Sequence, residues 1–128
     1  MRILLALLAV YWGFNGVFML MAPAEWYAAT PGADETGALN PHFVQDTGIG
    51  FLAAAAALAL AVVPRRVSLS LVVVAAVFLG GHAFLHLWDL LAHHASLSLT
   101  LVIVATVVLP AALGMWPLFR ARTVERST

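Results

Sequence analysis

Residues 67–91 form the run VSLSLVVVAAVFLGGHAFLHLWDLL, in which Asp89 is the one residue with a formal charge. A helix rises about 1.5 Å per residue, so about 20 apolar residues cross the roughly 30 Å of hydrocarbon in a bilayer. Three further apolar segments have similar lengths, and the predicted membrane helices cover residues 3–22, 41–63, 67–91 and 97–118. The sequence therefore predicts an all-α integral membrane protein, a single four-helix bundle domain over residues 1–128.

The overall composition supports a membrane protein. Of the 128 residues, 63% are hydrophobic and 9% are charged, with no lysine and a mean hydropathy of +1.00. A soluble domain of this size needs more charge to stay dispersed. The lipid bilayer is thus the expected partner, and no basic stripe indicates nucleic acid. No common hydrolase, zinc-protease or nucleotide-binding motif occurs, so no enzyme class is indicated.

Proline and polar residues mark the predicted helix ends. Asn40 and Pro41 form a typical helix start, with a capping side chain followed by a residue of preset φ. Residues 64–66 leave room only for a tight turn, and the fourth helix is expected to begin at Ser96. Pro110 should kink that helix unless neighbouring groups compensate. The connection over 23–40 is the one segment long enough to form an ordered lid.

The arginines predict an orientation, because cytoplasmic loops retain positive charge during insertion. All six arginines fall at one side of the predicted membrane, whereas the five histidines and five of the six carboxylates fall toward the other. The sequence therefore predicts cytoplasmic N and C termini and an outward 23–40 loop. The polar side chains would then lie toward the outer face of the membrane.

The first apolar segment has an alternative interpretation as a secretory signal, with Ala22-Pro23-Ala24 as its cleavage site. The segment is long for a signal, and it contains Tyr11, Trp12 and Asn15, which are typical of helix packing. Proline in the middle of the triplet also makes a poor cleavage site. We therefore expect the first helix to be retained.

The third helix carries the sharpest chemical pattern. His82, His86 and Asp89 share about 60° of its circumference. Helix 2 repeats the pattern with His42 and Asp46, which are four residues apart.

Depth estimates place several of these groups at one level. Asn15 on helix 1, Asp46 on helix 2 and the pair His82 and His86 on helix 3 are all expected several residues below the outer surface. His42, Asp89 and Glu25 would lie above them. We therefore expect a pocket among the first three helices, with the 23–40 loop as its roof.

A carboxylate in hydrocarbon needs a partner, and two imidazoles with a carboxylate can bind Zn, Cu or Fe. The predicted metal ligands are His82, His86, Asp46, His42 and Asp89. The alternative is a purely structural role, in which these residues hydrogen-bond to one another and stabilise helix packing. Asn15 would then form a hydrogen bond between helices.

Two other cofactors remain possible. A b-type haem needs imidazoles from facing helices, which here means His42 opposite His82 or His86. A quinone could be bound by a histidine, aspartate and tryptophan cluster that includes Trp88, with Asn15 and His42 as further cofactor-binding candidates.

The layout is similar to that of small bacterial membrane proteins of the DoxX-like group. The similarity lies in the size, the four helices, and the runs from Trp26-Tyr27 to Pro31-Gly32, from Asn40 to Asp46 and from His82 to Asp89. It implies a four-helix bundle in a bacterial inner membrane and no catalytic residue.

The sequence thus favours a metal-binding or redox membrane protein with an outward His/Asp pocket. The alternative is a non-catalytic accessory subunit of a larger membrane complex or a homo-oligomer, whose polar face would dock on its partner.

Overall fold

The computed structural model describes residues 1–65, 67–93 and 95–125, with side chains described up to residue 120 except at Thr36. Helices make up all the regular structure of these residues. In chain order they are α1 (Arg2–Met21), α2 (Pro23–Ala29), a 3₁₀ turn (Asp34–Thr36), α3 (Pro41–Ala61), α4 (Leu69–Ala92), α5 (Leu97–Ile103), a π-helical segment (Val104–Val108) and α6 (Leu109–Glu125).

Four helices are long and apolar enough to cross a membrane. They are α1, α3, α4 and the continuous helix over Leu97–Arg120, which we call the fourth span. The prediction of an all-helical chain with four helices of membrane-spanning length and apolarity is confirmed. The fourth helix continues to Glu125, beyond its predicted end at residue 118, because Arg and Glu favour helix although they are not apolar.

The spans pack in the order α1, α3, α4 and fourth span, with α1 also touching α6. The closest approach joins α1 to α3, where a Cβ on Gly16 would lie 2.7 Å from the carbonyl oxygen of Gly48. Conversely, a Cβ on Gly48 would lie 2.9 Å from the carbonyl oxygen of Gly16. Paired glycines of this kind let two membrane helices bring their backbones into contact. This contact places the Gly48 side of α3 against α1.

The two ends of the molecule differ in chemistry. The loop end contains the 22–40 connection and the turn between α4 and α5. The arginine end contains Arg2, Arg65 and Arg120, whereas Arg66 and Arg126 lie outside the described residues. A guanidinium nitrogen of Arg2 donates to the carbonyl oxygen of Val62, just past the last turn of α3. A cation at that position complements the free carbonyls of a helix C-terminus.

Two predicted helix starts are confirmed by their caps. The Asn40 side chain accepts a hydrogen bond from the backbone N–H of Phe43, at 3.2 Å. The Ser96 hydroxyl accepts from the N–H of Leu99, at 3.3 Å. Both caps satisfy amides that have no partner within the helix.

The hydrogen bond that Pro110 cannot make within its helix is replaced by one from a neighbouring helix. The proline has no N–H to donate to the carbonyl of Thr106, which would be its acceptor in an α-helix. The Tyr11 hydroxyl on α1 donates to that same oxygen, at 2.7 Å. The π-helical segment ends just before the proline, where the N–H of Leu109 donates to the carbonyl of Val104 five residues back. The kink expected at Pro110 is thus taken up by a π segment and a hydrogen bond from a neighbouring helix.

The long connection is ordered, as expected of a lid. Trp26 of α2 packs against the core, and its indole N–H donates to the Asn15 side-chain oxygen at 3.0 Å. The Tyr27 hydroxyl donates to the carbonyl of Gly37 at 2.5 Å. Gly32 has a φ of +79°, and a Cβ there would lie 2.9 Å from Leu99 of α5. The connection therefore closes on both α1 and the fourth span.

Candidate functional site

His82 and His86 contact each other on α4. Their Nε2 atoms are 3.1 Å apart, and both side chains are partly buried. The rings meet edge to face, with centroids 4.6 Å apart. By the helical rise, His86 lies about 9 Å and His82 about 15 Å from the loop end of α4, so His82 lies near the middle of the span.

Aromatic rings hold His82 in place. Phe78, one turn below it on α4, stacks on the imidazole with centroids 5.9 Å apart. Phe51 of α3 meets the same imidazole edge on, at 5.0 Å. Phe51 is 2% exposed and touches Phe78 as well, so the α3–α4 contact determines the position of the histidine ring. Edge-to-face and offset contacts at such distances are favourable for aromatic rings.

The aromatic contacts continue to α1. Trp12 stacks on Phe51, with centroids 5.1 Å apart and planes inclined by 13°. Tyr11 meets Trp12 edge on at 4.9 Å. The indole Nε1 of Trp12 is fully buried and has no hydrogen-bond partner among the described residues. A row of rings thus runs from Tyr11 through Trp12 and Phe51 to His82 and His86.

The second polar pair, His42 and Asp46, has a different environment. Its Nε2 and Oδ2 atoms are 3.4 Å apart, and the side chains are 85% and 60% exposed. Both residues lie on the side of α3 that faces away from α1 and α4. This pair therefore packs against no other span.

The structure does not bring the predicted ligand set together. In the described part of the chain, no three His, Cys, Asp or Glu side chains lie close enough to hold a metal ion. Asp46 pairs with His42 outside, whereas His82 and His86 lie inside against Phe51. Asp46 was predicted at a depth similar to that of His82 and His86, but similar depth does not bring the side chains together. With Gly16 and Gly48 in contact, the polar side of α3 faces away from α4. Metal binding itself stays a prediction.

The remaining candidates occupy separate places. Asn15 accepts from Trp26, and its amide nitrogen lies 3.6 Å from the sulfur of Met19, so it anchors the connection to α1. Trp88 is 62% exposed, and Asp89 is exposed one turn beyond His86. Glu25 is exposed in the first turn of α2.

The C-terminal turn of α4 uses another histidine. His93 ends the helix, where its N–H and ring Nδ1 both lie within reach of the carbonyl of Asp89. That role is structural. His94, the fifth histidine, lies outside the described residues.

Neither of two open cavities corresponds to the expected roofed pocket. One of about 320 Å³ lies within the connection, lined by residues 27–32 and Asp34. The other, of about 440 Å³, is an apolar groove between α1 and α3 lined mainly by alanines, among them Ala6, Ala55 and Ala59. None of the four described histidines lines either cavity.

Sequence reasoning missed the side chains that support the histidine pair. Phe78 could have been found, because it precedes His82 by four residues and therefore shares its face. Phe51 had no such signal, since its contact with His82 depends on how α3 packs on α4. Gly50 of α3 leaves the space that the Phe78 ring occupies, because a Cβ at Gly50 would clash with that ring.

Comparisons of the chain with protein-family models, with curated proteins and with solved structures find no match. The similarity of layout to the DoxX-like group therefore stays a prediction.

Proposed function

We propose that this integral membrane protein binds a transition-metal ion through His82 and His86. The two imidazoles supply two ligands, and water or a substrate molecule completes the coordination. This open site suits metal exchange or redox chemistry better than a closed structural site, in which the protein fills all positions.

The observation that carries the proposal is the 3.1 Å between the two Nε2 atoms. Zn–N bonds of imidazoles are about 2.0–2.1 Å, so two Nε2 atoms at this separation subtend an angle of about 100° at a shared ion. That angle lies between the square-planar and tetrahedral values. The separation of the two Nε2 atoms therefore fits a shared ion, and the ring that donates in the His82–His86 contact must release that proton and turn its lone pair toward the ion.

The type of ligand limits which metal ions the site could bind. Imidazole suits Zn, Cu and Fe, and the chain has no cysteine that would favour Cu(I) or an iron–sulfur cluster. A b-type haem is a weaker candidate. His82 and His86 lie one turn apart on one helix and cannot bind opposite faces of the same iron.

The surroundings of the pair support a specific role for it. Polar side chains deep in a membrane helix are costly unless they have a partner, and they commonly mark functional positions. Phe51 and Phe78 fix the His82 ring, which reduces the ordering cost of metal binding.

The proposal includes an orientation. Because positive charge is retained in the cytoplasm, the arginine end would face the cytoplasm, with both chain termini there. In a bacterial inner membrane the loop end would then face the periplasm. Metal or substrate would approach His86 first, since it lies nearer the loop end than His82.

Elemental analysis tests the proposal directly. Protein without a His tag is purified in mild detergent, loaded in turn with Zn, Cu and Fe salts, and freed of unbound ion. We expect about one ion per chain, lost in both His82→Ala and His86→Ala. An absorption spectrum of the same sample detects haem or coloured metal centres.

Two controls separate ligation from folding. His42→Ala removes an exposed histidine near the same end of the molecule and should leave the metal content unchanged. His82→Phe keeps an aromatic ring against Phe51 and Phe78 but removes the ligand, so it should fold normally and lose the metal. Equal metal content in all variants, or a colourless wild type that retains none of the three ions, would contradict the proposal and favour a structural role for the pair.

A further inference from the structure

One exposed side of α3 has a regular pattern that the fold leaves uncovered. The positions are spaced alternately by four and three residues and lie within about 80° of arc. All are exposed, with Ile49 at 54% and Leu60 at 57%. We call this surface the α3 stripe; it consists of His42, Asp46, Ile49, Ala53, Ala56 and Leu60.

The spacing of the α3 stripe is that of a helix–helix contact. Residues repeated at an average of 3.5 positions keep facing the same neighbour when two helices wrap around each other in a left-handed crossing. Ala53 and Ala56 in the middle are small, which lets a neighbouring helix come close. The face of α3 that packs within the molecule is a separate one, which includes Gly48, Phe51 and Leu58.

The polar pair makes lipid a poor covering for this surface. Asp46 lies about 7 Å along α3 from its first residue. Exposed Phe43 and Ile49 flank the pair in the sequence. At that depth water is scarce, and each group uses only part of its hydrogen-bonding capacity in the 3.4 Å contact. Acidic and imidazole side chains inside membrane spans almost always face protein or a water-filled cavity.

We propose that a second copy of this chain packs on the α3 stripe and forms a parallel dimer around a two-fold axis perpendicular to the membrane. The pair carries a donor and an acceptor four residues apart on one helix face, so it is complementary to itself. Under such a two-fold axis the two α3 helices meet at equal depth, and His42 of each copy lies diagonally opposite Asp46 of its partner. The acceptor sites that each Asp46 leaves unused then lie within reach of the partner's His42. This inference is independent of metal binding at His82 and His86.

Cysteine cross-linking tests the contact on a clean background, because the chain contains no native cysteine. Single variants Ile49→Cys and Ala56→Cys place a thiol on the α3 stripe. Phe84→Cys and Val77→Cys are matched controls on exposed positions of α4, at about the same two depths. Each variant is oxidised in native membranes with a membrane-permeable copper catalyst, and dimers are scored by mass.

We expect disulfide-linked dimers from both stripe variants and none from the two α4 controls. A cross-linked product of the stripe variants with a different membrane protein would overturn the second-copy proposal in favour of a larger complex. Equal cross-linking at all four positions would indicate random collision and would also overturn it.

A second measurement decides the case in which no cross-link forms. Subunits are counted by single-molecule photobleaching in lipid nanodiscs, for the wild type and for Asp46→Leu. We expect a wild-type dimer whose association weakens about threefold to thirtyfold in the variant, the range for loss of an interhelical hydrogen bond in lipid. Glu25→Leu removes an exposed carboxyl group that is not part of the α3 stripe and should have no effect. A monomeric wild type, or equal association in both variants, would contradict the proposal.

Discussion

The chain carries the same local arrangement twice, a histidine with a polar partner four residues later, and the two copies have opposite environments. His82 and His86 lie within the packed spans against Phe51, whereas His42 and Asp46 lie on an exposed face of α3. The i, i+4 spacing guarantees that partners on one helix meet. It does not decide whether they meet inside or outside, because that depends on the rotation of the helix.

The largest expected effect comes from a substitution at the α1–α3 contact, which places one polar pair inside and leaves the other exposed. Gly16→Ala places a Cβ 2.7 Å from the carbonyl of Gly48 and 3.1 Å from the amide nitrogen of Leu52, so backbone must shift. We expect a loss of about 3 kcal/mol in the free energy of unfolding, the upper end for overpacking. The measurement is a denaturation titration in mixed micelles.

Gly81 provides the matched glycine, because nothing lies within 4 Å of a Cβ built there. Gly81→Ala should be neutral or stabilising by up to about 1 kcal/mol, the helix propensity difference. If the two variants lose equal stability, close approach at Gly16 does not fix the rotation of α3.

Two phenylalanines of α3 compare its inner and outer faces. Phe51 is 2% exposed and Phe43 is 67% exposed. Phe51→Ala should cost about 2 kcal/mol of unfolding free energy. It leaves a cavity next to His82, but lipid rather than water solvates the separated helices, so the transfer contribution is small. Phe43→Ala should stay within about 0.5 kcal/mol. Similar losses would mean that the two faces of α3 are not packed differently.

The histidines themselves give a smaller contrast. His86→Ala removes the ring that Nε2 of His82 contacts and should cost about 1 kcal/mol, since His82 has no access to bulk water. His42→Ala, measured in dilute monomeric detergent samples, should cost less than about 0.5 kcal/mol because no other described span packs on this exposed side chain. The reverse order would indicate that the exposed pair, rather than the inner one, contributes to the stability of the monomer.

The smallest expected loss of unfolding free energy comes from removing the hydrogen bond between the Tyr11 hydroxyl and the backbone of the fourth span. Tyr11→Phe removes the hydrogen bond to the carbonyl of Thr106 and should cost about 0.6 kcal/mol, the mean for hydrogen bonds between membrane helices. In a Pro110→Ala background the alanine supplies an N–H to that helix, so the Tyr11→Phe cost should fall toward zero. An unchanged cost in the double-mutant cycle would show that Tyr11 does not compensate for the proline.

Much of the fold could be predicted from the sequence. The four apolar segments predicted four long helices, and the caps at Asn40 and Ser96 lie where the sequence placed them. These features depend on short stretches of chain, whose apolarity and capping chemistry act locally. The helix α2 was not predicted, although Pro23 at its start and Glu25 in its first turn are typical helix-start signals. The Trp26–Asn15 hydrogen bond joins this short helix to α1.

The candidate site was predictable only in part. The contact between His82 and His86 follows from their spacing on one helix. Asp46 was predicted to approach this pair, which required the polar side of α3 to face the other helices. That prediction came from positions along the helix axis, which carry no information about the rotation of the helix. Phe51 lies at that inner position instead, and no local pattern in the sequence distinguishes the two faces of α3.

The sequence by itself determined that the chain has four long apolar helices, where two of them begin, and which polar side chains meet along one helix. Hydrocarbon thickness and the 3.6-residue repeat act on any such segment regardless of its neighbours. Only the tertiary structure decided which polar pair is enclosed and which stays exposed. In a membrane both faces of a helix can be apolar, so backbone contact at Gly16 and Gly48, rather than hydrophobic patterning, sets the rotation.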